Sequence, residues 1–139
     1  MIGLDTHVLA RYFVAEENSD AATQRQRQAA RRLIESGEHL RVAKTVLLEL
    51  EWLLRGRYAF TPAEIAGVFD HLLAQPQVVI EARAQVLAAL AGFRQGLDFA
   101  DALHHASYRD CTRMASFDER RFTRRAKRMG LIPSVSIPA

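Results

Sequence analysis

The sequence has one cysteine, four prolines and one tryptophan in 139 residues, and no apolar run approaches the ~20 residues that a membrane helix needs. Each shortage excludes a class. The lone Cys111 permits neither an intrachain disulfide framework nor a cysteine-rich zinc centre, and fits a reducing, cytoplasmic setting. The amino terminus, "MIGLDTHVLARYF", has no basic leader and no small-residue cleavage site, and Asp5 interrupts what would be a signal peptide's apolar core, so it reads as part of the fold. No internal repeat, low-complexity segment or linker stands out. A large imbalance of charge is also missing: 19 Lys and Arg against 16 Asp and Glu leave a formal net charge of +3, a mild excess whose meaning depends on where the bases sit.

What is present is the composition of a soluble globular protein, 49% hydrophobic and 25% charged. The length suits one compact domain over residues 1–139. "MIGLDT" is a short apolar run ending in an acid, the pattern of a buried parallel strand that opens into a helix, "HVLARYF". Ser19 or Asp20 can cap a helix over "AATQRQRQAARRLIES", closed by Gly37. "HLRVA" reads as a second strand. Thr45 is placed to cap "TVLLELEWLLRGRY", where Val46, Leu47, Leu50, Leu53 and Leu54 have helical spacing. Thr61, Pro62 and Glu64 spell a capping box with proline at the first helical position. Then come strand "QVVIE", helices "ARAQVLAALAGFRQG" and "DFADALHHASYRD", strand "TRMASF", helix "DERRFTRRAKRMG" and strand "IPSVSI". Strands alternating with helices predict an α/β fold with a mainly parallel sheet flanked by helices.

Parallel sheets bind ligands beyond the carboxyl ends of their strands, which gives weight to acids placed there. Asp5 ends the first strand, beside Thr6; Asp118 ends "TRMASFD", two residues after Ser116. Glu49 lies among leucines on a helix, and "GLDFADALHH" supplies Asp98 and Asp101. Each has a bland alternative. Asp5, Asp98 and Asp118 can be helix caps, Glu49 can pair with an arginine, and Glu51 reads as solvated. Gathered together, however, carboxylates ~4 Å apart repel by about 4 kcal/mol per pair at an effective dielectric of 20, a cost that a cation must offset. An all-carboxylate site selects magnesium or manganese over zinc. Such ions lower the pKa of water and stabilise a phosphodiester's leaving oxygen.

At these residues the sequence resembles the PIN domains, in particular the VapC toxins of prokaryotic toxin–antitoxin systems. The resemblance rests on "GLDTHVLARYF", "VLLELEWLLR", "LDFADALHHA" and "ASFDERRF" in that order, and covers nearly the whole chain. It implies a three-layer α/β/α sandwich and a Mg²⁺- or Mn²⁺-dependent endoribonuclease. It also implies a homodimer and a cognate VapB-type antitoxin, whose tail presents a basic residue to an acidic pocket. The family's catalytic, metal-holding acids fall on Asp5, Glu49, Asp101 and Asp118, with Thr6, Asp98 and Ser116 in support. His7 stands where the family commonly has Asn, and Ser116 where Thr is frequent; both bear on substrate placement.

Adjacent His104 and His105 point about 100° apart on a helix, so a shared zinc ion is disfavoured and packing or surface hydrogen bonding is the plainer reading. The run "RRFTRRAKR" carries six bases in nine positions; Arg120, Arg121, Arg124 and Arg125 are candidates for RNA phosphate contacts, against a merely solvated face. "RQRQAARR" is a second such candidate. Trp52 and the phenylalanines read as core or interface. Two other functions compete with the nuclease. One is a non-catalytic module holding a metal or a basic peptide in the same pocket. The other is a phosphoryl-transfer domain with a nucleophilic aspartate, disfavoured because His7 sits where a second acid is wanted.

Overall fold

The computed structural model describes residues 1–139. The chain folds as two compact units, Met1–Arg83 and Ala84–Ala139.

The first unit holds a parallel three-stranded sheet in the order β1 (Ile2–Gly3), β2 (Leu40–Val42), β3 (Val78–Ile80). Ile2 pairs with Leu40 and Leu40 with Val78, so β2 is central. Leu40, Val42, Val78 and Ile80 are buried, whereas Arg41 and Val79 between them are exposed: these strands alternate rather than burying both faces. Helices α1 (Thr6–Phe13) and α2 (Ala21–Ile34) connect β1 to β2; α3 (Lys44–Gly56) and α4 (Pro62–Ala74) connect β2 to β3. Helix α1 packs on both α2 and α3, and α3 on α4.

The second unit contains α5 (Arg83–Arg94) from its second residue onward, α6 (Phe99–Ser107), β4 (Arg113–Ala115), one π-helical turn (Glu119–Thr123), α7 (Arg124–Met129) and β5 (Ser134–Ser136). Strands β4 and β5 are parallel. Phe99 and Phe122 are fully buried, and α7 packs on β5. The expected α/β class, parallel strands flanked by helices, is what the structure has.

Local chemistry explains most boundaries. Asp20 caps α2, its carboxylate accepting from Thr23 N at 2.7 Å, and Gly37 takes the left-handed backbone (φ 84°) that ends the segment. The Thr61 capping box is complete, with Glu64 N donating to Thr61 Oγ1 at 3.2 Å and Thr61 N to Glu64 Oε1 at 2.9 Å. Thr61→Ala should therefore lower stability by about 1 kcal/mol in chemical denaturation, without altering the fold.

Two boundaries differ from expectation. Helix α3 begins at Lys44, one residue before Thr45, and its N-cap position is Ala43, which has no polar side chain. The acceptor comes from across the sheet: Glu81, just past β3, takes the Lys44 N–H at 2.9 Å. The segment after Asp118 starts as a wide π turn before α7, with Arg124 N closing onto Glu119 O.

Candidate functional site

In the first unit, Asp5 lies two residues past the carboxyl end of β1 and is the N-cap of α1. Its Oδ1 accepts from Thr6 N at 2.8 Å. Thr6 is fully buried, and its hydroxyl donates to Glu49 Oε1. One threonine thus ties Asp5 and Glu49 into a single hydrogen-bonded chain, while both carboxylates stay exposed. The cap reading and the site reading of Asp5 are compatible, because capping takes one oxygen and leaves the other.

Of the plainer readings of Glu49 and Glu51, arginine pairing falls to Glu51 and solvent exposure to Glu49. Glu51 is the buried acid of α3, 3% exposed, and Arg55 one turn on donates to its Oε1 at 3.0 Å. Glu51 lies four residues after Leu47 and three before Leu54, on the helix's apolar stripe; Glu49, about 200° away, faces solvent. The arginine pairing considered for Glu49 belongs to Glu51. Trp52 is 64% exposed and takes no part in the core.

In the second unit, Asp98 caps α6 by accepting from Asp101 N at 3.1 Å. Asp118 caps the π turn, accepting from Arg121 N at 3.0 Å, and its own N–H donates to Ser116 Oγ at 3.1 Å. Thr123, not singled out from the sequence, donates its hydroxyl to Asp118 O at 2.8 Å. Asp101 is half-buried, and its carboxyl is held above the ordinary aspartate value by burial first, then by the charges of Asp98 and Asp118; His104 opposes. These three acids therefore share one electrostatic environment.

Arg125 Nη1 donates to Gly96 O at 2.6 Å, fastening the turn before Asp98, where Gly96 has φ 101°. Arg124 pairs with Glu119 at 3.2 Å. Arg120 and Arg121 are exposed. His105 is buried and its Nε2 lies 2.7 Å from Pro133 O. A carbonyl only accepts, so Nε2 carries a proton and donates. Phe122 meets the ring edge-on, and no zinc ligand set forms around it.

Sequence reasoning missed Glu81, an acid at the carboxyl end of β3 and hence at the same edge of the first unit's sheet as Asp5. The signal was the same one that pointed to Asp5: an apolar strand, "VVI", closed by a carboxylate.

Hard oxygen donors, mutually repelling at Asp101, suit a magnesium or manganese ion in chemistry. In arrangement they are not preassembled: no three His, Cys, Asp or Glu side chains are grouped to hold a metal.

An α/β domain with acids at strand ends and helix starts defines a class, and the family comparison makes it specific. The PIN domain model matches residues 2–128, and the chain belongs to the PIN domain family. No curated protein and no solved structure gave a significant match. No helix is long and apolar enough to cross a membrane.

Proposed function

We propose that the chain acts as one PIN domain and is a ribonuclease toxin of the VapC type, restrained by a VapB-type antitoxin, active in the cytoplasm and working as a homodimer. Family membership supports the nuclease reading, and the observation that carries it to particular residues is the Asp101 carboxyl, raised by burial first and then by the charges of Asp98 and Asp118, a repulsion that a cation would relieve. Asp5, Glu49, Asp101 and Asp118 are all required in this reading. These carboxylates would hold a Mg²⁺ or Mn²⁺ ion, which would supply positive charge for activating a water and for steadying the leaving oxygen. Thr6 orients Glu49, Ser116 fixes the backbone at Asp118, and Asp98 adds negative charge beside Asp101. Arg120 and Arg121, with Arg124 and Arg125 at their flank, meet RNA phosphates.

A second reading is favoured by the side-chain geometry taken alone. With no three acids grouped for a metal, the domain can serve as a non-catalytic module whose acids hold a cation or a basic partner peptide. Antitoxin-free protein incubated with structured and cellular RNAs, with and without Mn²⁺, separates the two. The nuclease reading expects defined new 5′ ends that depend on the metal and vanish in Asp5→Asn. Metal or basic-peptide binding without any such ends decides for the module.

A further inference from the structure

Apart from these acids, the first unit has an open cavity of about 520 Å³ where the end of α1, the exposed side of α2 and His71 of α4 meet. Its volume lies within the range of small-ligand pockets. One wall is aromatic. Phe13 stands edge-on to both Tyr12 and His71, with ring centroids at 5.0 and 5.5 Å. The other wall is polar and basic, with Arg27 and Arg31 from α2. Arg31 is engaged with Glu35 at 3.3 Å, and Glu35 also accepts from the Tyr12 hydroxyl at 3.3 Å. That carboxylate is thereby balanced, and Arg27 leaves the lining with a net positive charge. Burial first, and then Glu35, raise the Tyr12 phenol above its ordinary value, so it stays neutral and a donor.

Rings, one uncommitted guanidinium and two side-chain amides, Gln24 and Gln28, facing one cavity are the parts that bind a nucleotide. A base offers a flat face to the rings and polar edges to the amides, while its phosphate pairs with arginine. Tyr12 and His71 are 6.1 Å apart and tilted by 44°, which leaves no room for a base between them. The base must therefore stack from outside the pair.

We infer that the cavity bounded by Tyr12, Phe13, His71, Arg27 and Arg31 is a binding site for one nucleotide of single-stranded RNA. It lies at the end of α1 opposite Asp5 and deepens the ribonuclease reading, but binding there requires no metal. The test accordingly uses the full chain in chelator, so that failure of cleavage and failure of this site are separable.

Adenosine and uridine 5′-monophosphates, a short single-stranded RNA, inorganic phosphate and an oligoglutamate peptide are titrated while the His71 ring and the Gln24 and Gln28 amides are followed by NMR. The expected result is saturable shifts with both nucleotides, and binding by inorganic phosphate about tenfold weaker because it has no base to stack. Arg27→Ala should weaken nucleotide binding about fivefold or more and lower the salt slope of RNA binding by roughly 0.7. His71→Ala, which removes an exposed ring, should weaken nucleotides but not phosphate. The inference is overturned by any of three results: no shifts at millimolar nucleotide, phosphate or oligoglutamate binding as tightly as nucleotide, or an Arg27→Ala variant that binds like the parent.

Discussion

Asp101→Asn and Asp5→Asn are each expected to reduce metal-dependent RNA cleavage by on the order of a hundredfold or more while leaving the fold intact, since an amide replaces an anionic cation ligand at nearly constant volume. For Asp101 the stability effect has a definite sign. Its carboxyl is held above the ordinary 3.8 by partial burial, then by Asp98 and Asp118. The folded protein thus binds this proton more tightly than the unfolded chain does. The contribution is full below pH 3.8 and is lost as pH rises through the folded value. At neutral pH the ionised group weakens the fold, and asparagine removes that weakening. Thermal melts at pH 7 should place Asp101→Asn level with the parent or a few degrees above it, with the advantage shrinking at acidic pH. Undiminished cleavage by either variant would remove that residue from the proposed site. A variant melting well below the parent at pH 7 would show that the carboxylate is needed for folding.

Phe99→Ala should produce the largest loss of stability among the residues bordering the acids, about 3–5 kcal/mol. Phe99 sits between the α6 cap Asp98 and Asp101, is wholly buried, and meets Phe93 edge-on at 5.7 Å. Its ring anchors the first turn of the helix that aims both acids outward. Removing it empties a large part of a small core, against a total stability of typically about 5–15 kcal/mol. Denaturant titration measures the loss directly. Phe99→Leu, which keeps most of the buried volume, should cost distinctly less, and equal costs would mean that the site collapses around either side chain.

Much of the architecture is legible without coordinates because it is written locally. A cap lies three residues from the N–H it accepts, so Asp20, Asp98, Asp118 and the Thr61–Glu64 box can be read from spacing, and each makes the predicted bond. The order of strands and helices follows from apolar periodicity in the same way. Even the buried acid of α3 was within reach, since Glu51 shares the stripe of Leu47 and Leu54, whereas Glu49, for all its flanking leucines, lies on the exposed face where its carboxylate meets Thr6. Proximity in sequence is not proximity on a helix.

The sequence by itself determined which acids begin helices or end strands, the parallel α/β class and, through its motifs, the PIN family. Only the tertiary structure decided which of those acids are buried, bonded or repelled. Glu81 caps α3 from 37 residues away, Thr6 reaches Glu49 across 43, and Arg125 secures Gly96 across 29. His105 is fixed by Pro133, 28 residues on, and is thereby spent on packing rather than metal. The physical reason is one of range. Caps and amphipathic stripes are set by bonds within a turn or two of the backbone, whereas a side chain's partner, charge environment and burial depend on what the fold brings beside it from elsewhere in the chain.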